Sequence, residues 1–160
     1  MEVDVVNISR IYKANTEIIN KSIADVSDND WLRSPGNDSN HLLWLLGHVI
    51  VHRAYVLKAL GMEWSSSWAP LFARGAEKVE EGEYPTVEEM REAWTQMSAK
   101  LREALRQPTA ELLEQPPPEG LPSFDNKVSG TLAFFAFHDA YHTGQLSYLH
   151  KWLGYGQTIG

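Results

Sequence analysis

From Leu42 to Val51 the chain reads LLWLLGHVIV, and within the segment His41 to Leu60 this stretch is apolar nearly all round, interrupted only by Gly47 and His48. An ordinary surface helix carries one apolar stripe. A helix apolar on every side has to be covered on more than one of them, by the middle of a helical bundle or by a second subunit. Asn40 stands before it as an N-cap and Gly61 after it at the usual C′ position. The apolar run is too short to span a bilayer, so the segment reads as a helix central in an all-α bundle or buried on a second side by another subunit.

Three further helices follow from periodicity. Between Val5 and Val26, Ile8, Ile11, Tyr12, Ile18, Ile19, Ser22, Ile23 and Val26 recur close to the three-and-four spacing of an amphipathic helix. Thr86 and Glu89 form a capping-box pattern ahead of Val87, Met90, Ala93, Trp94, Met97 and Leu101, a helix running to about Arg106. The last helix is expected from a Ser129 cap to Leu153, stopping at Gly154. The connections are long. Residues 27–40 contain Pro35 and Gly36, residues 107–128 contain five prolines with room for one helical turn at Thr109–Leu113, and Met62 to Pro85 carries Trp64, Trp68, Leu71 and Phe72. So many aromatics in a connection suggest a flap packed on the bundle, with a short helix around Pro70–Val79. The expectation is a single domain over residues 1–160, a four-helix bundle with long crossover connections.

The chain of 160 residues has a formal charge of -7 and a pI near 5.3, with Lys and Arg scattered. That balance repels polyphosphate and argues against nucleic acid as a partner. No cysteine is present, so any metal must be held by His, Asp, Glu or carbonyl oxygen. The start, MEVDVVNIS, lacks a basic region followed by an apolar one, and the expected location is the cytoplasm, with no membrane association.

Six histidines in this length give roughly 0.2 pairs four residues apart by chance, whereas the chain has two, His48/His52 and His138/His142. Both pairs lie in apolar helices, where a buried ring without a partner costs free energy. On a helix, His138 and His142 share a face and can share one metal ion. On the facing helix His41, His48 and His52 fall within about 40° of one another, so spacing leaves the third ligand open between His48 and His52. Three neutral imidazoles suit zinc, nickel, copper or iron(II) and leave positions for water or substrate. Tyr141 and Gln145 each stand three residues from one of the paired histidines on the same face; they either orient bound water or substrate, or else Tyr141 packs and Gln145 caps a carbonyl.

HDAYH also looks like the HExxH pattern of zinc proteases. Aspartate is one carbon shorter than the glutamate base, and Tyr148 stands where the extended motif has its third histidine, so that reading is rejected. Asp139 lies about 100° round the helix from His138 and is expected in an ion pair or behind the ligands. Phe134, Phe135, Phe137 and Trp44 read as core beside the site. His150 reads as a favourable group near a helix C-terminus, and the acidic run Glu77–Glu83 as a solvated face.

NHLLWLLGH at Asn40–His48 followed by FHDAYHTGQLSYL from Phe137 resembles the DinB-like (DinB/YfiT) superfamily, and the resemblance covers nearly the whole chain. It implies a four-helix protein with a divalent metal, nickel or zinc foremost, with iron or manganese as further options. It also implies the ligands His48, His138 and His142, with His52 left as an alternative or supporting group. Some relatives are metal-dependent enzymes that use small thiols such as bacillithiol or mycothiol, among them S-transferases and an isomerase, and dimers are common. The resemblance therefore implies a metal-dependent transferase or hydrolase acting on a small molecule with a low-molecular-weight thiol or water, as a homodimer. The alternative is a non-catalytic metal- or ligand-binding module.

Overall fold

Buried residues of the first helix follow the spacing expected of it: Ile8, Tyr12, Asn15, Ile19 and Ser22 lie inward over Val5–Ile23 (α1). In this computed structural model, which describes residues 5–36 and 38–159, α1 is followed by Leu42–Ala59 (α2), Val87–Ala104 (α3), the short Ala110–Glu114 (α4) and Val128–Trp152 (α5), with no strand among the described residues. Residues 1–4, Asn37 and Gly160 lie outside the described residues, so the N-terminal reading above and the ends of the expected domain are only partly covered. The fold is an all-α bundle. Ile11, expected on the inner face, is 44% exposed, one step beyond the arc that α1 buries.

Side-chain pairings give the direction of each helix. Tyr12 donates to the Leu132 carbonyl and Asn15 to Asp139, so α1 and α5 run parallel. His48 lies opposite His142 while Tyr55 lies near Phe135, so α2 and α5 run antiparallel. Trp94 donates to Asn20 and Arg91 to the Ile23 carbonyl, so α3 runs antiparallel to α1. It follows that α2 and α3, which pack side by side, are parallel. A parallel neighbour needs a connection that travels back along the helix, about 27 Å for α2. The stretch between Leu60 and Thr86 makes that return: Trp64 borders the same groove as Lys58, Phe72 packs on Gly47, and Tyr84 meets His41.

This strap is anchored by Phe72, which is fully buried, a burial contributing about 1.5–3 kcal/mol. Gly47 is what admits it, because a Cβ there would stand 2.5 Å from the Phe72 ring. The expected helix at Pro70–Val79 is only one tight turn, Ala69–Phe72; Ala73 is already extended (φ -66°, ψ 158°) and Gly75 has φ +77°. The helical turn expected at Thr109–Leu113 is present as α4.

Two expected caps move. His41, not Asn40, is the N-cap of α2, its Nδ1 accepting from the Trp44 amide at 3.1 Å. Ser129 lies inside α5, where its Oγ is buried and has no hydrogen-bond partner among the described residues. Lys127 holds the cap position; its amide donates to Ser123 Oγ and Asp125 Oδ1, and the Val128 amide to the Gln115 carbonyl. The capping box at Thr86 and Glu89 forms as expected.

Among the described residues α2 is the one helix long and apolar enough to cross a membrane, and 78% of it is buried within the protein. Its own α3, α5 and strap supply that cover. The choice between a bundle centre and a second subunit is thus met within the chain.

Candidate metal centre

His48 and His52 lie one turn apart on α2, facing His138 and His142 on α5. One ring nitrogen each from His48, His138 and His142 comes within 4.8 Å of the others, a group that can hold a metal ion. His52 stands outside this set. Its ring is wedged between two of the others, 4.0 Å from His48 and stacked on His138 at 4.1 Å with 21° between planes. His41 is used as a cap and takes no part.

Hydrogen bonds decide which nitrogen each ring offers. His48 Nδ1 lies 2.7 Å from the Phe72 carbonyl, which can only accept, so Nδ1 carries the proton and Nε2 its lone pair. His52 donates likewise from Nδ1 to the His48 carbonyl at 2.8 Å. His142 Nδ1 donates to Gln145 Oε1 at 2.6 Å. Support of one ring nitrogen by a carbonyl or amide while the other faces a common point is the arrangement metal-binding histidines adopt. His138 departs from it: its Nδ1 is buried and has no hydrogen-bond partner among the described residues.

His138 Nε2 and His142 Nε2 are 3.1 Å apart. Two lone pairs at that distance repel unless a proton or a cation lies between them. Nitrogens bound at about 2.0–2.1 Å in a tetrahedron around zinc stand about 3.3 Å apart, so the pair fits a metal with little adjustment. Burial keeps the rings neutral. It holds His48 down to about 3, the His52 ring adding to the effect, and His138 to about 3, with His52 and His142 adding. It lowers His52 and His142 as well, the bond to Gln145 opposing it in His142. All four rings are therefore neutral at neutral pH, each keeping one ring proton and one free lone pair.

Tyr141 is 59% exposed with its ring edge-on to His142, and its hydroxyl accepts from Gln145 Nε2 at 3.5 Å. The structure thus places Gln145 on His142 and Tyr141 behind Gln145. Trp44 stacks on His48 at 4.7 Å, and Phe135 is buried, whereas Phe137 is 65% exposed and no part of the core. Its side chain points outward from α5 into solvent.

Asp139 pairs with Arg53, a residue that sequence reasoning passed over. The signal was present, since Arg53 is a charge inside HVIVHRAYVL with no acidic residue at helical spacing. The guanidinium also donates to Ser98 and lies 4.3 Å over the Trp94 ring, and Asn15 completes the carboxylate's bonds. One network thereby joins α1, α2, α3 and α5 directly beside the histidines. His150 is buried in a bond to Asp25 and one to the Gly156 carbonyl, more than a charge at a helix end.

A helical bundle with a three-histidine group contributed by two facing helices is the class that this fold and site define. The chain belongs to the DinB superfamily, whose family profile matches residues 11–146. No curated protein matches the chain.

Proposed function

We propose that this protein is a metal-dependent enzyme acting on a small molecule, with a low-molecular-weight thiol as the favoured co-substrate and transfer of that thiol to an electrophile as the favoured reaction. The observation that carries the reading is the convergence of three neutral ring nitrogens within 4.8 Å. Three nitrogen ligands leave coordination positions open, which distinguishes a reactive site from a closed structural one. A divalent ion there, zinc or nickel ahead of iron or manganese, supplies Lewis acidity and lowers the pKa of a thiol or water beside it. The chain's own groups do the rest. Phe72 and Gln145 orient His48 and His142, and the strap from Trp64 to Phe72 shields the rings from water. In the transfer, the thiol sulfur bonds to the electrophilic carbon, the leaving group departs with its electron pair, and the thiol proton goes to solvent. The choice of thiol over water rests on family analogy. We place the protein in the cytoplasm, where small thiols stay reduced.

The test is turnover. Purified, metal-loaded protein is offered common bacterial thiols with an activated aryl halide, with His138→Ala as the control. Activity lost in that variant supports the proposal; no turnover with any thiol counts against it.

A binding module without catalysis is the second reading, favoured by the state of Asp139. It is the only carboxylate among the ligands' neighbours on α5, and Arg53 and Asn15 already engage both its oxygens. Stoichiometric metal in a protein inert toward every thiol and ester offered selects this reading.

A further inference from the structure

Between α1 and α3 lies a cavity that the metal centre does not use. Among the described residues the hydrogen bonds joining these helices sit at one end, Trp94 Nε1 to Asn20 at 2.7 Å and Arg91 to the Ile23 carbonyl at 2.6 Å. Otherwise α1 and α3 touch little. The space left between them measures about 450 Å³, within the range of about 300–1,000 Å³ usual for small-molecule sites. It follows α1 from Asn20 back to Ser9, roughly 16 Å of helix. None of the four clustered histidines lines it.

The inner wall suits an apolar body that carries one oxygen. Tyr12, Trp94, Leu101 and Leu105 line it, all of them core residues. Arg53, itself 1% exposed, lies at the same wall with its guanidinium 4.3 Å from the Trp94 ring centroid and 5.7 Å from that of Tyr12. A guanidinium has five N–H groups. Arg53 uses Nε and one N–H of Nη2 on Asp139, and one N–H of Nη1 on Ser98. One N–H on each Nη is thus left without an acceptor among the described residues. A buried donor left unpaired costs free energy, so an oxygen is favoured beside it.

The rim is cationic. Arg10 borders it from α1 and Arg102 from α3, and neither has a carboxylate within ion-pair distance among the described residues. Glu17, the one carboxylate on the walls, is 4.0 Å from Lys13. In a chain of net charge -7 this local excess of positive charge selects an anion. We propose that the cavity is a second ligand site, separate from the metal centre, and that it takes a small amphipathic monocarboxylate. The apolar body lies along Trp94 and Leu101, an oxygen at its inner end accepts from Arg53, and the carboxylate is met by Arg10 and Arg102. This site does not depend on the activity proposed above.

The test is calorimetry on the full, metal-loaded chain with 8-hydroxyoctanoate as the probe. One molecule per chain should bind, about tenfold or more tighter than the uncharged octane-1,8-diol or the cationic 8-amino-octan-1-ol, since a charge-assisted contact at the rim contributes about that factor. Arg10→Gln with Arg102→Gln, both at exposed positions, should weaken binding about tenfold. Ala99→Trp fills the cavity from an exposed position of α3 and should abolish binding, with circular dichroism and metal content unchanged. Should Ala99→Trp not fold, the double arginine variant decides. A carboxylate also coordinates metals, so His138→Ala is the second arm: unchanged affinity there places the probe away from the histidines. No binding to the wild type, loss of binding in His138→Ala, equal affinity for the amine, or full affinity in the double arginine variant overturns the proposal.

Discussion

Arg53 and Asp139 form a two-pronged ion pair, Nε to Oδ1 at 2.8 Å and Nη2 to Oδ2 at 3.0 Å, with side chains only 1% and 3% exposed. The pair joins α2 to α5 one residue away from His52 and from His138. Fixing the rotation of both helices there fixes the direction in which the histidines point.

Breaking this pair from one side leaves a buried charge uncompensated. Asp139→Ala should therefore lower the unfolding free energy by about 3–5 kcal/mol, and the double variant Arg53→Met with Asp139→Leu by clearly less than the two single losses added. Urea denaturation checks this. A loss under about 1 kcal/mol for Asp139→Ala sinks the claim that the pair is desolvated.

Gly47 exists for the Phe72 ring. Gly47→Ala forces the strap outward and should destabilise by about 1–3 kcal/mol, although alanine is the better helix former. Because the same displacement pulls the Phe72 carbonyl from His48, metal affinity should fall in parallel. Equal stability and affinity in this variant would show that the strap tolerates the methyl group.

Stability of the metal-free protein should decline in mild acid. Burial holds His48 and His138 at about 3 in the folded chain, below the ordinary 6.5. Between those values the unfolded chain binds protons that the folded chain does not, so unfolding becomes easier as pH falls below about 6.5. Urea midpoints at about pH 7.5 and about pH 5 measure the slope. It should flatten in the double variant His48→Gln, His138→Gln; an unchanged slope would assign the acid sensitivity elsewhere.

Gln145 and His52 should separate in metal titrations. Gln145→Leu removes the acceptor that holds His142 Nδ1 and should weaken metal binding about 10–100-fold. His52→Leu, outside the nitrogen group, should keep one metal per chain, whereas His138→Ala should lose it. Elemental analysis of untagged protein together with calorimetry checks both, and retention of full affinity in Gln145→Leu would remove its supporting role.

Helices were legible in the sequence wherever the signal was local. The spacing of Ile8, Tyr12, Ile19 and Ser22, the capping box at Thr86 and Glu89, and the His138/His142 pair each depend on residues of one helix and its cap. So does the burial of α2, since a helix apolar all round has no wet face to offer. Caps were less legible, because Asn40 and Ser129 have suitable side chains but His41 and the Ser123–Lys127 loop reach the helix ends instead.

Residues far apart in the chain carried no such signal. Arg53 meets Asp139 across 86 positions, the Phe72 carbonyl takes His48 Nδ1 across 24, and the parallel run of α2 beside α3 turns a long connection into the strap over the site. Periodicity and capping chemistry are properties of a single helix, so the amino-acid order alone determines them. Which charge finds which partner, and which histidine nitrogen is left free, depend on how four helices pack against each other, and only the tertiary structure decides that.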